Sequence, residues 1–417
     1  MSRFSISLSV LFFVAGTLII VPLPSGGLQQ TSSPNETIGR VPHAIAVGDF
    51  NGDGIPDVAV PAAAERKVAI LLSNGKGGFA SNHTYATGTG PSWVEIGDFN
   101  GDRRIDLVTA NTGGEDLSVY WGDGKGNFSK AADIPNIPGP AAAVAVDINR
   151  DGRLDLAVTQ PKESRLVTIE NLGGNFRASA SYEVGRAPHI VTKVELNGDG
   201  ISDLVVGTFA RHRLSVLLGK GDGAFRVAGE IPVGRFPHYV AAGDWNGDGH
   251  QDLAVACAGE DAVILLKGNG TGVLEKMGTL PMGDNPHGLI AADFNGDGLL
   301  DLAGSARTAG EVSVFLGDGK VGFTAVAPLR IKQDIIALAA NDFDRDGKMD
   351  LALVSASHSS VVMLRGDGKG GFSPFARKNR RTPWIMRTQL NIFHSKESSI
   401  VTGLISSGGP LRLRSRL

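Results

Sequence analysis

The chain has 417 residues, a formal net charge of −3 and a single cysteine, Cys257, so an intramolecular disulfide is excluded. Glycine is abundant at 57 residues while aromatic residues make up 6% of the chain, a composition suited to tight turns between short strands. The net charge names no partner, because 22 acidic groups fall in seven loops that would change sign on binding divalent ions, and nothing in the composition calls for nucleic acid.

In chain order, Arg3 precedes an apolar run from Leu8 to Val21, followed by Pro22-Leu-Pro-Ser-Gly-Gly27. Residues 1–27 therefore read as a secretory signal, with an uncleaved N-terminal anchor as the alternative. That places the protein outside the cytoplasm, secreted or on the cell surface, with membrane contact only through the anchor. Residues 28–40 are polar, except that Glu36-Thr-Ile-Gly39 has the form of the end of each later repeat.

Residues 41–375 repeat. Pro42–Gly48 reads as a first strand, Asp57–Val60 as a second, Lys67–Leu72 as a third and Phe79–Thr87 as a fourth. Between the first two lies Asp49-Phe-Asn-Gly-Asp-Gly-Ile-Pro-Asp57. The same nine-residue pattern starts at Asp98, Asp147, Glu195, Asp244, Asp293 and Asp342, in steps of 49 with one of 48. A second landmark keeps the same register: Phe79, Phe128, Phe176, Phe225, Leu274, Phe323 and Phe372. The short step falls between Asp147 and Phe176, where Glu170-Asn-Leu-Gly-Gly-Asn175 replaces a longer turn. No 3.6-residue period is sustained. Four short strands per repeat, seven times, predict an all-β fold, a seven-bladed β-propeller of four-stranded blades. The outer strand of the last blade is expected either from residues 34–39 or from residues 375–386, with the first preferred. Residues 376–417 carry nine Lys and Arg against one Glu and read as a basic, poorly ordered tail.

The loops set oxygen ligands at alternate positions around a glycine turn, which suits a hard cation. Each supplies the side chains of positions 1, 3, 5 and 9 and the carbonyl of position 7. In the first loop these are Asp49, Asn51, Asp53, Asp57 and Ile55, and in the second Asp98, Asn100, Asp102, Asp106 and Arg104. The third offers Asp147, Asn149, Asp151, Asp155 and Arg153; the fourth offers Glu195, Asn197, Asp199, Asp203 and Ile201. The fifth has Asp244, Asn246, Asp248, Asp252 and His250, and the sixth Asp293, Asn295, Asp297, Asp301 and Leu299. The seventh has Asp342, Asp344, Asp346, Asp350 and Lys348. An EF-hand is excluded, because position 12 is Val60 or Val255 rather than Glu. All-oxygen donors favour Ca²⁺ over zinc, copper or iron, and a multi-carboxylate cage favours it over magnesium. Up to seven structural calcium ions are expected. Arg103 in place of the turn glycine and the longer Glu195 mark the second and fourth loops as the weakest.

Asp-Phe-Asn-Gly-Asp-Gly followed by Asp-Leu-Ala-Val, with Leu-Gly-Asp-Gly-Lys ahead of Phe, resembles the FG-GAP/VCBS-type repeat over about residues 40–375. Its known members include the heads of integrin α-subunits, secreted bacterial proteins, fungal lectins and some polysaccharide lyases. The resemblance implies a seven-bladed propeller with calcium between the first two strands of each blade. It implies no particular ligand.

His43, His189, His238 and His287 each lie six residues ahead of a loop's first ligand. If the first strands line the axis, these histidines sit on one rim as a candidate ligand site, set against plain repeat-consensus residues with a local hydrogen bond. Arg365-Gly-Asp367 and Gly366-x-Gly-x-x-Gly371 are explained by the repeat turn. No Ser-His-Asp arrangement or zinc motif is present. The expected function is binding or adhesion to an extracellular protein or glycan, rather than catalysis. The alternatives are a polysaccharide lyase-like enzyme on the same scaffold and a purely structural repeat.

Overall fold

The computed structural model describes residues 9–14, 17–22, 36–320 and 322–375; most of the N-terminal segment and the basic tail lie outside these. Ser9–Val14 and Thr17–Pro22 pair as an antiparallel hairpin. From residue 36 onward the chain forms seven antiparallel blades in a closed ring, with strands in sequence order from the axis outward in every blade except at the outer edge of the seventh. The only helical segment among the described residues is the single turn Ala63–Glu65. The fold is therefore the all-β, seven-bladed propeller that the repeat predicts.

Burial follows position in the blade. Every residue of the second strands is buried, as in Asp57–Ala62, Asp252–Cys257 and Asp350–Ser355, because a neighbouring blade covers each face. Fourth strands, such as Phe79–Ala86, alternate half-buried and exposed residues at the rim. The two sequence landmarks meet at the interfaces. Phe50 packs edge-on against Phe128 of the next blade, with ring centroids 5.6 Å apart, and Phe294 against Phe372 does the same at 5.6 Å. Phe99 with Phe176 and Trp245 with Phe323 repeat the contact at 6.3 Å each. These rings interlock adjacent sheets, which is why an apolar residue stands at position 2 of every acidic loop.

The first strands, among them Pro91–Gly97, Pro188–Val194, Pro237–Gly243 and Pro286–Ala292, approach their neighbours around the axis. Trp93 of the second blade meets Tyr239 of the fifth across it, with centroids 6.0 Å apart, so aromatic side chains fill the channel at that level.

The shortened repeat loses its residue in a turn. Leu172–Asn175 connects the third and fourth strands of the third blade with a Leu172 N–H bond to the Asn175 carbonyl, where the second blade uses Asp123–Asn127. Both termini of the described ring contribute to the outer edge of the seventh blade. Phe372–Pro374 pairs with one half of Ser360–Gly366, and Glu36–Thr37 pairs with the other half. Ile38 and Phe375 are buried in the same seam.

Candidate functional sites on the two faces of the ring

An antiparallel blade places its connections between strands one and two, and three and four, on one face. The other connections lie on the opposite face. The first face carries the seven acidic loops.

Position 9 is buried in all seven, from Asp57 at 0% exposure to Asp155 at 1%. Its carboxylate accepts at least two backbone N–H groups every time. In the first loop Asp57 takes Phe50 N–H at 3.0 Å and Ser73 N–H at 2.7 Å, tying the loop's start to the end of the third strand. Asp106 does so with Phe99 and Gly122, Asp155 with Ile148 and Asn171, and Asp203 with Leu196 and Gly219. Asp252, Asp301 and Asp350 complete the set. Burial pushes the carboxyls of Asp57, Asp106 and Asp350 up to about 6 against the pull of these bonds.

Position 1 organises the turn. Asp49 accepts N–H bonds from Gly52, Asp53 and Gly54 at 2.8, 3.1 and 2.8 Å. Asp98 repeats this with Gly101, Asp102 and Arg103 at 2.7, 3.1 and 2.7 Å. Arg103 reaches that geometry by taking φ +65°, so the second loop keeps its shape. Arg150 and Arg345, at position 4 of the third and seventh loops, also stand where other loops have glycine, at φ +62° and +61°. Sequence reading overlooked these two, because only position 6 was treated as the demanding turn residue. The fourth loop differs in detail: Glu195 takes Asn197 and Gly198 N–H at 3.1 and 2.6 Å.

The donor set suits a cation. In the seventh loop, carboxylate oxygens of Asp342, Asp344 and Asp350 lie within 4.8 Å of one another. Two ligands on opposite sides of one calcium ion, each at about 2.3–2.6 Å, span about that distance. Here Arg365 Nε sits 2.9 Å from Asp344 and its terminal nitrogen 2.7 Å from Asp346, so the arginine of Arg365-Gly-Asp367 is engaged by the loop. In the other loops the amides of Asn51, Asn100, Asn197 and Asn295 donate to the position-5 carboxylate two residues on, at 2.8 to 3.3 Å. Asn246 Nδ2 instead donates to Asp252, while Asn149 Oδ1, like Asn51 Oδ1, accepts the position-5 N–H. Position 7 points its N–H into the turn, as Ile55, Arg104, Arg153, Ile201, His250, Leu299 and Lys348 each donate to the position-5 carboxylate.

The opposite face holds the histidines. His189 and His238 have ring centroids 5.7 Å apart, and His238 stacks on His287 at 4.2 Å with planes 26° apart. His43 stands at the edge of the group, where desolvation and the nearby Arg307 lower its pKa below the ordinary imidazole value. His287 Nδ1 meets the Ile336 carbonyl of the next blade at 2.7 Å, a contact between neighbouring first strands like that of the Ser92 hydroxyl with the Ala141 carbonyl. His238 Nδ1 is buried without a partner among the described residues. Burial and mutual repulsion hold His238 at about 2 and His287 at about 4, so the cluster is neutral at physiological pH.

A cleft of about 520 Å³ opens beside His238, walled by Phe209 and Phe236 and edged by Asp261, Asp284, Asn285 and Thr308. Phe236 is 39% exposed and sits at φ +56° just before a proline, a conformation bulky residues avoid. Sequence reading did not single out these residues. Their signal is departure from the repeat: Phe209 occupies the place of Ala63, Ala258 and Ala356, and Phe236 that of Gly90 and Gly139.

A family model for the FG-GAP-like repeat matches residues 49–109, 98–158, 196–255 and 244–304, together more than half of the chain. No curated protein matches it in sequence. Among solved structures, BBS1N in complex with ARL6DN is similar at 15% identity and a TM-score of 0.58, covering 82% of this chain and 94% of that one. A protein from Lactobacillus plantarum is similar at 13% identity and a TM-score of 0.55, covering 80% and 94%. A catalytically inactive virginiamycin B lyase from Staphylococcus aureus with quinupristin follows at 14% identity and 0.53, covering 79% and 95%. At such identities the likeness is one of fold.

Proposed function

Because the chain belongs to the FG-GAP-like repeat family, we propose that it is a secreted, calcium-stabilised propeller that binds an extracellular protein or glycan. The observation that carries this reading is the division between the faces. On the loop face, carboxylates are spent on backbone N–H groups and on converging donor sets, which serves the ring itself. On the other face, Phe236 sets an exposed aromatic ring beside an open cleft; its positive φ belongs to the turn and is shared with Val41, Gly90, Gly139, Ala187 and Asn285, but the exposed phenyl group is not. One similar propeller, BBS1N, is seen in complex with a protein, which agrees with a protein partner without identifying one. Calcium would be held by positions 1, 3, 5 and 9 and would cross-brace each turn, with no part in a reaction.

The test is capture on protein and glycan arrays by the full chain and by Phe236→Ala and His238→Ala. Loss of the captured ligand in both variants, with unchanged melting temperature, is the expected result. Capture that survives both changes moves the binding face elsewhere. A lyase-like activity is the alternative reading, and burial that holds His238 at about 2 counts against it, since so weak a base takes up no proton at neutral pH. Release of unsaturated sugar from an acidic polysaccharide, abolished by His238→Ala, would establish it.

A further inference from the structure

The cleft beside His238 combines an aromatic wall with an acidic edge. Phe209 and Phe236 have ring centroids 4.9 Å apart with planes 36° apart, and His238 meets Phe209 at 4.9 Å and 80°. The three rings therefore turn a corner instead of forming one flat shelf. His238 brings no positive charge to it, because burial keeps the imidazole neutral at physiological pH.

The edge carries charge that its neighbours do not cancel. Asp284 is exposed, and its side chain makes no hydrogen bond or ion pair among the described residues. Asp261, also exposed, has one carboxylate oxygen on the Asn285 N–H at 3.1 Å and the other without a partner among the described residues. Departure from the repeat puts this charge here. Ahead of the first and fifth blades the place of Asp284 is held by an arginine paired with a glutamate, Arg40 with Glu65 at 3.7 Å and Arg235 with Glu260 at 3.1 Å. The sixth blade has Asp284 and Ala309 at those two places, so a neutral pair becomes one uncompensated carboxylate. Arg307 and Lys332 line the adjoining cleft together with Asp334, which Arg307 faces at 4.0 Å. Over both clefts Asp261, Asp284 and Asp334 outnumber those two cations.

An anion is repelled by this edge, and a neutral sugar leaves both carboxylates without a counter-charge. A cation answers the charge and is drawn to aromatic rings as well. A flat guanidinium covers a single ring face. A rounded alkylammonium fills a corner of rings, and its methyl shell is only weakly hydrated. We propose that this cleft binds a choline-type ammonium group, packed into the corner of Phe209, Phe236 and His238 and balanced by Asp284 and Asp261. The proposal rests on the reading of this face as the binding face and names the group it recognises.

The experiment is calorimetric titration of the full chain with choline, with dimethylbutanol as its uncharged carbon isostere, with methylguanidinium and with methyl glucoside. Choline binds, and the isostere, equal in shape but without charge, binds about tenfold more weakly or worse. Asp284→Asn, at an exposed position free of hydrogen bonds, leaves the melting temperature unchanged and weakens choline severalfold. Phe236→Leu keeps an apolar side chain in the cleft and weakens choline more than it weakens the isostere, because it removes the ring and not the apolar contact. Equal binding of choline and isostere, choline binding unchanged by Asp284→Asn and Phe236→Leu, or no binding of choline overturns the proposal. Tighter binding of methylguanidinium overturns it in favour of an arginine side chain, and binding of methyl glucoside in place of choline overturns it in favour of a neutral glycan. Phosphatidylcholine vesicles that co-sediment with the chain place the group on a lipid headgroup, and vesicles that stay free of it place the group on a soluble ligand; with choline bound, both outcomes support the ammonium site. If array capture depends on Phe236 while choline fails to bind, the ammonium assignment falls and the binding face stands.

Discussion

Within one acidic loop, the carboxylates do two different jobs. Asp301 is buried and holds Phe294 N–H and Gly317 N–H, whereas Asp297 is exposed and shapes only its own turn. Asp301→Ala should cost about 2–6 kcal/mol in urea unfolding with chelator present, for two buried N–H groups left unpaired. Asp297→Ala should cost under about 1 kcal/mol with chelator present and more in millimolar calcium. Equal costs in chelator would refute this split of roles. Glu95 is a second residue with a measurable signature. It accepts the Ala145 N–H at 3.1 Å on the axis, and burial pushes it up to about 7 despite Lys193 nearby. Between its ordinary range and about 7 the native chain holds a proton that the unfolded chain has released, so stability falls as pH rises through that window. Asp57, Asp106 and Asp350 act in the same direction, so the difference between proteins is what reads Glu95. Glu95→Gln should lose less stability than wild type between pH 5 and pH 7.5, both in chelator. An identical slope would show that Glu95 ionises freely.

At the scale of the element, the turns on the loop face also join blades. Gly126 N–H donates to the Phe50 carbonyl at 2.9 Å, and Gly272 N–H to the Leu196 carbonyl at 2.8 Å, each across an interface. The short turn of the third blade cannot place its backbone in the same way. There the buried Asn171 side chain substitutes, donating to the Phe99 carbonyl at 2.7 Å and the Leu154 carbonyl at 3.0 Å. Its Oδ1 also accepts Gly173 and Gly174 N–H. Asn171→Ala should therefore cost about 2–4 kcal/mol in urea unfolding, well above an alanine change in the exposed part of the same turn. A cost below about 1 kcal/mol would mean that water replaces the amide. The lost residue was visible as one short step in the period. Its compensation was not, because the partner carbonyl lies 72 positions away in sequence.

For the whole molecule, calcium is expected to act on the ring rather than on a ligand. A site holding calcium at ten times its Kd adds about 1.4 kcal/mol, and several such sites together rival the margin of a typical domain. Chelator at matched ionic strength should lower the melting temperature markedly while leaving the strand signal below the transition intact. An unchanged midpoint would remove calcium from the account. What the sequence determined by itself was everything that recurs: the period, the four strands, the acidic loops and the apolar landmarks. Repetition makes each blade legible from its own residues and lets seven copies vote on the register. What only the tertiary structure decided is what happens once. The stacked His238 and His287, the exposed Phe236 and the divided seam depend on how blades close around an axis, and neighbours in that ring are distant in the chain.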